Sequence, residues 1–379
     1  MQSKQTILTT FSSLGVSKDF HQALKENKLL VPTDIQEKTL PVLLQQTTDF
    51  IGLAQTGTGK TAAFGLPILQ QIDPSKDCIQ ALILSPTREL VQQINKQLFR
   101  LTKYAPAKIF SEELYGGVKI DQQIANLKRP THFIVATPGR LVDLIERGAL
   151  DLTKINTLVL DEADEMLSMG FKQDLNRILN YTNGFRKTWL FSATMPEEIQ
   201  RIVKMYMDPE AVRVTVDVDT LVNKNITHQY CLVNGKEKYD ALVSFLEAHP
   251  EGRGIVFCKT RAGVQNMTEY LVEDEFSVGG LEGEMGQRDR DKVMRAFKKG
   301  STRILVATDV AARGIDVKDL AFVIHYQLPE QLAYYTHRSG RTARAGKKGI
   351  SLAFVTATEL GRLREIETDL HIKATQIRV

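Results

Sequence analysis

Short apolar runs alternate with amphipathic stretches along the whole chain. The runs predicted to form β-strands are Phe50–Ala54, Ala81–Leu84, Phe133–Ala136, Thr157–Leu160, Thr188–Phe191, Gly254–Cys258, Arg303–Ala307, Phe322–His325 and Ile350–Val355, the last of them being the final strand expected. Apolar residues at helical spacing occur between them, as in Leu90–Leu101, Arg140–Arg147, Phe171–Leu179 and Arg288–Lys298. Strands that read as continuous apolar runs and alternate with helices predict an α/β fold, with mostly parallel sheets covered by helices on both faces.

One polar segment interrupts this pattern near the middle of the chain. Asp217–Asn225 has neither a helical nor a strand period of its own. We therefore expect one α/β domain over 1–216, a linker over 217–226 and a second α/β domain over 227–379. In such domains ligands bind beyond the carboxyl ends of the strands.

Composition adds little to this picture beyond exclusions. The chain has 379 residues, 42% hydrophobic and 25% charged, which is ordinary for a globular protein and excludes a disordered or fibrous chain. No apolar run approaches the roughly 18 residues of a spanning helix, and the first residues carry no apolar signal region. Three widely separated cysteines favour a reduced, cytoplasmic location. A net charge of +4 is too small to indicate nucleic-acid binding by itself.

A glycine-rich loop follows the first predicted strand. Ala54–Thr61 ends that strand and opens a helix, which is the context in which backbone N–H groups cradle phosphate oxygens. The residues expected to contact nucleotide phosphates are Gln55, Thr56, Gly57, Thr58, Gly59, Lys60 and Thr61. Lys60 is predicted to reach the β- and γ-phosphates of ATP, and the Thr61 hydroxyl is predicted to ligate Mg²⁺. A glycine turn that merely reverses the chain is the alternative, and the strand–loop–helix context disfavours it.

An acidic sequence follows another apolar strand of the same half. Thr157–Leu160 runs directly into Asp161-Glu162-Ala163-Asp164. Asp161 is expected to bind Mg²⁺ through water, and Glu162 is expected to polarise the attacking water as general base. The alternative is an acidic loop that only faces solvent. A phosphate loop upstream in the same domain argues against that alternative.

A basic sequence lies near the end of the second half. Arg341 and Arg344 stand three residues apart within His337–Gly346, so on a helical turn they would project to one side. Two guanidinium groups suit the transition-state charge on a transferring phosphoryl group. The alternative is a solvated basic face.

Together these sequences resemble the DEAD-box ATP-dependent RNA helicases over nearly the whole chain. The Asp161–Asp164 tetrapeptide gives that family its name. Further matching motifs are Pro86-Thr87-Arg88-Glu89-Leu90, Gly116-Gly117, Thr137-Pro138-Gly139-Arg140, Ser192-Ala193-Thr194, Ile255–Thr260, Gln287 with Arg290, Thr308–Asp316 and His337–Gly346. Each motif is weak alone, but the ordered set is highly specific.

The resemblance implies two RecA-like domains that bind ATP and RNA across their cleft. The residues implied to hold the RNA sugar-phosphate backbone, without reading its sequence, are Pro86, Thr87, Arg88, Gly117, Thr137, Gly139, Arg140, Thr260, Arg261, Arg290 and Thr308. It also implies that Ser192, Thr194 and Asp164 couple the state of ATP to RNA binding. In the second domain, Gly314 and Asp316 are implied to contact the nucleotide, and His337 belongs to the catalytic arginine motif.

The segment Val31–Gln36 resembles the motif with which the family recognises adenine. A glutamine amide can pair with adenine N6 and N7, so Gln36 is expected to select ATP over GTP, and Thr33 is expected to bind the nucleotide as well. Phe11 matches the family's isolated upstream aromatic residue. The family usually has Gly followed by Phe or Tyr where this chain has Lys28 and Leu29. Loss of the stacked ring predicts weaker ATP binding, whereas a further departure, Glu282 in place of the common His, carries no clear consequence.

The resemblance implies RNA-stimulated ATP hydrolysis coupled to local unwinding. ATP, Mg²⁺ and single-stranded RNA would close the cleft about the linker hinge and bring Arg341 and Arg344 to the γ-phosphate. The core is expected to be monomeric and to have no membrane partner. Three alternatives stay open: a DNA-directed translocase, a catalytically silent RNA clamp, and an ATPase that remodels RNA–protein complexes more than duplexes.

Overall fold

The chain folds into two compact units, Met1–Val216 and Asp217–Val379. The structure is a computed structural model that describes residues 9–55, 57–182, 184, 186–216, 225–235, 237–312, 317, 320–343 and 347–379. The predicted site residues Thr56, Gly314, Asp316 and Arg344, and all but the end of the predicted linker, lie outside the described residues. Within the described part of the chain, no helix is both long and apolar enough to cross a membrane.

The first unit is built on a seven-stranded sheet in which every neighbouring pair of strands is parallel. Its strands are β1 (Phe50–Leu53), β2 (Ala81–Leu84), β3 (Ser111–Leu114), β4 (Phe133–Ala136), β5 (Thr157–Asp161), β6 (Lys187–Ser192) and β7 (Val212–Thr215). They lie in the order β3-β4-β2-β5-β6-β1-β7. This arrangement confirms the predicted parallel α/β fold for the first half.

Helices cover both faces of this sheet because each has one apolar side. They are α1 (Lys18–Glu26), α2 (Asp34–Gln45), α3 (Lys60–Gln71), α4 (Arg88–Leu101), α5 (Ile120–Asn126), α6 (Pro138–Glu146), α7 (Ala163–Ser168), α8 (Lys172–Tyr181) and α9 (Glu197–Tyr206), with a short 3₁₀ turn at Thr102–Tyr104. In α4, for example, Val91, Ile94 and Leu98 are buried, whereas Lys96 and Arg100 are exposed. Alternate residues of each inner strand enter one of two apolar cores, one on each side of the sheet.

The second unit repeats the same architecture with a second seven-stranded parallel sheet. Its strands are β8 (Ile226–Leu232), β9 (Gly254–Phe257), β10 (Val278–Leu281), β11 (Ile304–Ala307), β12 (Phe322–His325), β13 (Gly349–Val355) and β14 (Thr375–Ile377), in the order β10-β11-β9-β12-β13-β8-β14. Its helices are α10 (Lys238–Ala248), α11 (Arg261–Glu273), α12 (Gln287–Lys299), α13 (Asp309–Ala312), α14 (Leu332–Ser339) and α15 (Leu360–Asp369), with a 3₁₀ turn at Ala357–Glu359.

The strands that the apolar pattern did not predict are β3, β7, β8, β10 and β14. Four of them, β3, β7, β10 and β14, lie at sheet edges. The prediction that Ile350–Val355 is the last strand was wrong, because Thr375–Ile377 follows it and pairs with β8. The second difference concerns the basic sequence: α14 ends at Ser339, so Arg341 lies in a turn beyond the helix and not on a helical face.

Candidate phosphate and nucleic-acid sites

The glycine-rich loop connects the carboxyl end of β1 to the first turn of α3. Gly57 and Gly59 have φ values of +83° and +96°, which L-residues with side chains rarely adopt. A Cβ atom on Gly59 would lie 2.5 Å from the Gln36 side-chain nitrogen, so this position also lacks room for a side chain. Lys60 is buried, and its Nζ donates a hydrogen bond to the carbonyl of Ala54 at 3.1 Å. Two glycines with positive φ therefore shape the described part of the loop, and Lys60 is bound to the backbone where the loop begins.

The predicted adenine motif packs directly against this loop. Gln36 is buried; its Nε2 donates to the Gly59 carbonyl at 2.9 Å, and its Oε1 accepts the Thr33 backbone N–H at 3.0 Å. A glutamine amide has two donor hydrogens and an oxygen with two lone pairs. One donor and one acceptor position therefore stay available for the bidentate contact with adenine that the sequence predicted.

The other two predicted adenine contacts lie in the apolar core of the first unit. Phe11 is buried there, and Leu29 is half-buried and packs against the same core. Lys28 has φ of +60°, immediately after the end of α1. The conformation at position 28 is one that glycine adopts without strain, whereas a residue with a side chain does not.

The acidic sequence begins as the last residue of β5. Asp161 and Glu162 are buried, and Glu162 has φ of +53°, so the backbone turns sharply before α7. Burial raises the pKa of Asp161 above its ordinary value, while the positive charge of Lys60 opposes that rise. The Asp161 Oδ1 atom is buried and has no hydrogen-bond partner. An unpartnered carboxylate oxygen beside a phosphate loop fits a hard cation such as Mg²⁺.

The described residues contain no group of three or more His, Cys, Asp or Glu side chains arranged to hold a metal ion, at this site or at any other. Magnesium does not need such a cage, because it keeps several waters and binds through one or two carboxylates and the substrate phosphates. Thr61, the second residue of α3, is half-buried at the same end of the sheet.

The predicted coupling residues contact one another at the ends of β5 and β6. Asp164 Oδ2 accepts hydrogen bonds from the backbone N–H and the Oγ1 of Thr194, at 2.9 and 2.7 Å. The Ser192 hydroxyl accepts the Asp164 backbone N–H at 3.3 Å. The acidic sequence and the Ser-Ala-Thr sequence are thus joined by side chains, so a displacement of one is transmitted to the other.

The predicted RNA residues of the first unit follow three adjacent strands, β2, β3 and β4. Thr87 caps α4, where its hydroxyl accepts the Leu90 N–H, and Pro86 precedes it in a buried position. Gly117 has φ of +81° in the loop after β3. Thr137 and Gly139 lie at the start of α6, after β4. The hydroxyl groups and backbone donors of these residues therefore lie together at the carboxyl ends of three neighbouring strands.

Two arginines of this group are held by neighbours that the sequence did not single out. The Arg88 guanidinium lies 4.8 Å from the centre of the Tyr115 ring. Arg140 donates from one nitrogen to the Val118 carbonyl at 3.1 Å and to Gln123 Oε1 at 2.7 Å. The signal for Tyr115 was its position just before Gly116-Gly117, whereas nothing in the sequence indicated the contact between α5 and α6.

The second unit gathers its predicted RNA residues at the ends of β9, β10 and β11. Thr260 caps α11, and the Thr308 hydroxyl accepts the Ala311 N–H at 3.3 Å. Arg290 donates to the carbonyl of Ala311 at 2.7 Å, which brings α12 to the end of β11. Arg261 forms an ion pair with Glu284.

The unusual Glu282 lies at the end of β10. It is buried, and its carboxylate accepts the Glu284 backbone N–H at 2.7 Å. Glu282 therefore closes the turn that presents Glu284, which is a structural consequence that the sequence did not reveal.

The basic sequence begins inside α14. His337 and Arg341 are half-buried, His337 in the helix and Arg341 two residues beyond its end. Between them, the buried Arg338 forms an ion pair with Asp309, with nitrogen–oxygen distances of 2.5 and 2.7 Å. Asp309 directly follows Thr308, so this pair joins the arginine sequence to the predicted RNA residues of the same unit. Both residues belong to motifs visible in the sequence, but their pairing depends on the fold and is not visible there.

The chain is similar to known proteins over nearly its whole length. The family described as DEAD/DEAH box helicase matches residues 33–202, and the helicase conserved C-terminal domain matches residues 237–346. The chain is 43% identical over 361 residues to the DEAD-box ATP-dependent RNA helicase CshA of Geobacillus kaustophilus, covering 95% of this chain and 76% of that protein.

Two solved structures are similar over almost the whole chain. Dbp5 of S. cerevisiae bound to RNA and ADP BeF3 matches with a TM-score of 0.89 and 30% identity, over 97% of this chain and 95% of the other. Mss116p bound to ssRNA and AMP-PNP matches with a TM-score of 0.86 and 30% identity, over 100% of this chain and 81% of the other.

Proposed function

The chain belongs to the DEAD-box family of ATP-dependent RNA helicases, and we propose that it couples RNA-stimulated ATP hydrolysis to local unwinding of RNA or remodelling of RNA–protein complexes. The observation that carries this proposal is the juxtaposition of Lys60 and Asp161, two buried charged groups at the same end of the sheet. Buried charges are costly unless they serve a ligand or a partner. A nucleotide phosphate beside Lys60 and a divalent cation beside Asp161 would account for both.

In this proposal each residue of the first unit has a separate task. Gln36 selects adenine, and the backbone N–H groups around Gly57 and Gly59 bind phosphate oxygens. Thr61 and Asp161 would hold Mg²⁺, which supplies positive charge to neutralise the phosphates. Glu162 accepts the proton of the attacking water, since its carboxylate follows directly after Asp161.

The remaining predicted roles also belong to the proposal. Arg341, Arg344 and His337 of the second unit would stabilise the transition-state charge, with 217–226 as the linker between the domains 1–216 and 227–379. The residues at the strand ends of both units would bind the RNA backbone, and Thr194 would pass the state of the nucleotide to them through Asp164. The same proposal includes a monomeric protein in the cytoplasm. The three free cysteines favour that reducing location.

Steady-state ATP hydrolysis with and without single-stranded RNA tests this function. Wild type should be stimulated by RNA, and Glu162→Gln should lower kcat by about 10²–10⁴-fold, the range for loss of a general base, while ATP and RNA still bind. Glu197→Gln, at an exposed carboxylate of α9, is the matched control and should behave as wild type. A wild-type chain that binds RNA and ATP but hydrolyses nothing would instead support a silent RNA clamp.

A further inference from the structure

A completely buried histidine supports the helix that begins the arginine sequence. His325 ends β12, and its ring stacks on Tyr335 of α14 with 4.5 Å between ring centres and 7° between planes. Its Nδ1 lies 3.4 Å from a guanidinium nitrogen of Arg338, and its Nε2 lies 3.4 Å from the hydroxyl of Ser339. Residues 335, 338 and 339 are spaced i, i+3 and i+4, so all three contacts of His325 lie on the same face of the helix.

The neighbours of His325 determine where its proton lies. A guanidinium group only donates hydrogen bonds, so Nδ1 facing Arg338 must carry the lone pair. The proton is then on Nε2, which is 3.0 Å from the hydroxyl of Ser351 on β13. Burial and the positive charge of Arg338 hold the pKa of His325 well below its ordinary value, so the ring is neutral. Neutrality and the Nε2–H tautomer are therefore both set by the surroundings.

The same face of α14 is fixed by further polar contacts within the second unit. The Ser339 and Ser351 hydroxyls are 2.9 Å apart, and the Tyr335 hydroxyl is 2.9 Å from Nδ1 of His228. Arg338 is bound by Asp309 and donates to the Gln327 carbonyl at 2.8 Å. These contacts are made in a water-poor interior, where a buried polar group left unpaired is costly.

Backbone hydrogen bonds connect the end of α14 to Arg341. The N–H of Gly340 donates to the Thr336 carbonyl at 2.8 Å, and the N–H of Arg341 donates to the Arg338 carbonyl at 3.0 Å. The direction in which the chain leaves α14 therefore depends on the positions of residues 336–339. A shift of about 1 Å in a group that acts on the transition state can cost about 10²-fold in rate.

We propose that His325, as the neutral Nε2–H tautomer, is a positioning residue that holds α14 in the orientation in which Arg341 acts. The proposal rests on the proposed ATPase function, because Arg341 is assigned its role there. His325 touches no nucleotide; it acts through Tyr335, Arg338 and Ser339. Since an interaction realised only in the transition state changes kcat, its loss should appear in kcat and leave the ATP KM nearly unchanged.

Two substitutions separate the polar role of His325 from its bulk. His325→Phe keeps an aromatic ring for Tyr335 to stack on but removes both ring nitrogens. His325→Asn loses the ring but keeps an amide oxygen near the position of Nδ1, so it still offers an acceptor to Arg338. The matched control is His132→Phe, at a buried histidine of the first unit whose Nδ1 accepts the Phe110 N–H at 2.9 Å.

With saturating RNA, His325→Phe should lower kcat by at least about tenfold, with the ATP KM within about twofold of wild type. His325→Asn should recover most of that loss, and His132→Phe should retain the wild-type kcat. An unchanged kcat in folded His325→Phe, or an Asn variant as slow as the Phe variant, would overturn the proposal.

The tautomer provides a measurement that needs no variant to be active. Proton–nitrogen correlation spectra of the ¹⁵N-histidine-labelled full chain, with the His325 signals identified by their loss in His325→Asn, should show a protonated Nε2 and a bare Nδ1 at pH 7. A charged ring or an Nδ1–H tautomer would overturn the proposal even if His325→Phe fails to fold. Absence of RNA-stimulated hydrolysis in wild type would refute the proposed function instead, and the two failures are thereby distinguished.

Discussion

The side-chain amide of Gln36 donates a hydrogen bond to the backbone carbonyl of Gly59, with 2.9 Å between nitrogen and oxygen. The residue predicted to select adenine is therefore attached to the loop predicted to bind phosphate. Base recognition and phosphate binding are linked through one amide, and a ligand that engages Gln36 also restrains Gly59.

Replacing Gln36 by Met should damage both functions of this amide. The Gly59 carbonyl and the Thr33 N–H would lose their partner. Because Gly59 is half-buried and Thr33 is exposed, water can replace part of each hydrogen bond, and we expect a cost of about 0.5–1.5 kcal/mol for each. We expect a lower unfolding midpoint for the first unit, a raised ATP KM and a reduced preference for ATP over GTP. Gln45→Met, at an exposed glutamine that ends the same helix, is the control. An unchanged ATP/GTP ratio would remove Gln36 from adenine selection.

Leu29→Phe tests the consequence of the missing aromatic ring. Stacking of a base on an aromatic side chain contributes about 1–3 kcal/mol, so the substitution should lower the ATP KM several-fold. Leu30→Phe places the same ring at a neighbouring residue that is 68% exposed, and should leave the KM unchanged. If Leu29→Phe has the wild-type KM, the leucine does not weaken ATP binding.

Lys28→Gly should stabilise the first unit. The left-handed conformation costs a residue with a side chain roughly 1–2 kcal/mol, and glycine avoids that cost but loses more freedom on folding. We expect a net gain of about 0.5–1 kcal/mol in the free energy of unfolding, measured with urea. Lys25→Gly, inside α1, should instead destabilise by about 1 kcal/mol. Equal effects of both substitutions would contradict the role assigned to the backbone of Lys28.

The apolar pattern predicted the inner strands because those strands are buried on both faces. Strand β2, Ala81–Leu84, is apolar throughout. The edge strand β3, Ser111–Leu114, is half-buried except at Leu114, and β8 alternates buried and exposed residues because one of its faces is partly open. Strands such as these depend on their neighbours for pairing, so their own sequences carry little signal.

A similar division holds for the sites. The residues around Gly59 and Asp161 were predicted because each motif is contiguous and has a defined strand–loop context. The contacts of Arg140 with Gln123 and of Arg338 with Asp309 join separate elements, and only the fold brings them together. The helical placement of Arg341 was wrong because α14 ends at Ser339.

Stability of the second unit should fall in mild acid because of His228. Burial lowers the pKa of His228 to about 4, whereas an unfolded histidine has a pKa of about 6.5. The unfolded chain therefore binds more protons between these values, so stability is complete above pH 6.5 and is lost as pH falls toward 4. Between pH 7 and pH 5 this group should remove about 2 kcal/mol from the free energy of unfolding.

Urea unfolding of wild type and His228→Phe at both pH values checks this expectation. The variant lacks the titrating group, so its free energy of unfolding should depend less on pH by about the same 2 kcal/mol. A pH dependence that is identical in both proteins would show that His228 is not responsible for it.

RNA dependence is tested by ATP hydrolysis in the presence of single-stranded RNA or DNA of the same sequence. We expect strong stimulation of wild type by RNA, little by DNA, and a response to RNA that weakens as salt is raised, because the proposed contacts are with the phosphate backbone. Equal stimulation by RNA and DNA would contradict the assignment of this chain as an RNA-dependent ATPase and favour a DNA-directed enzyme.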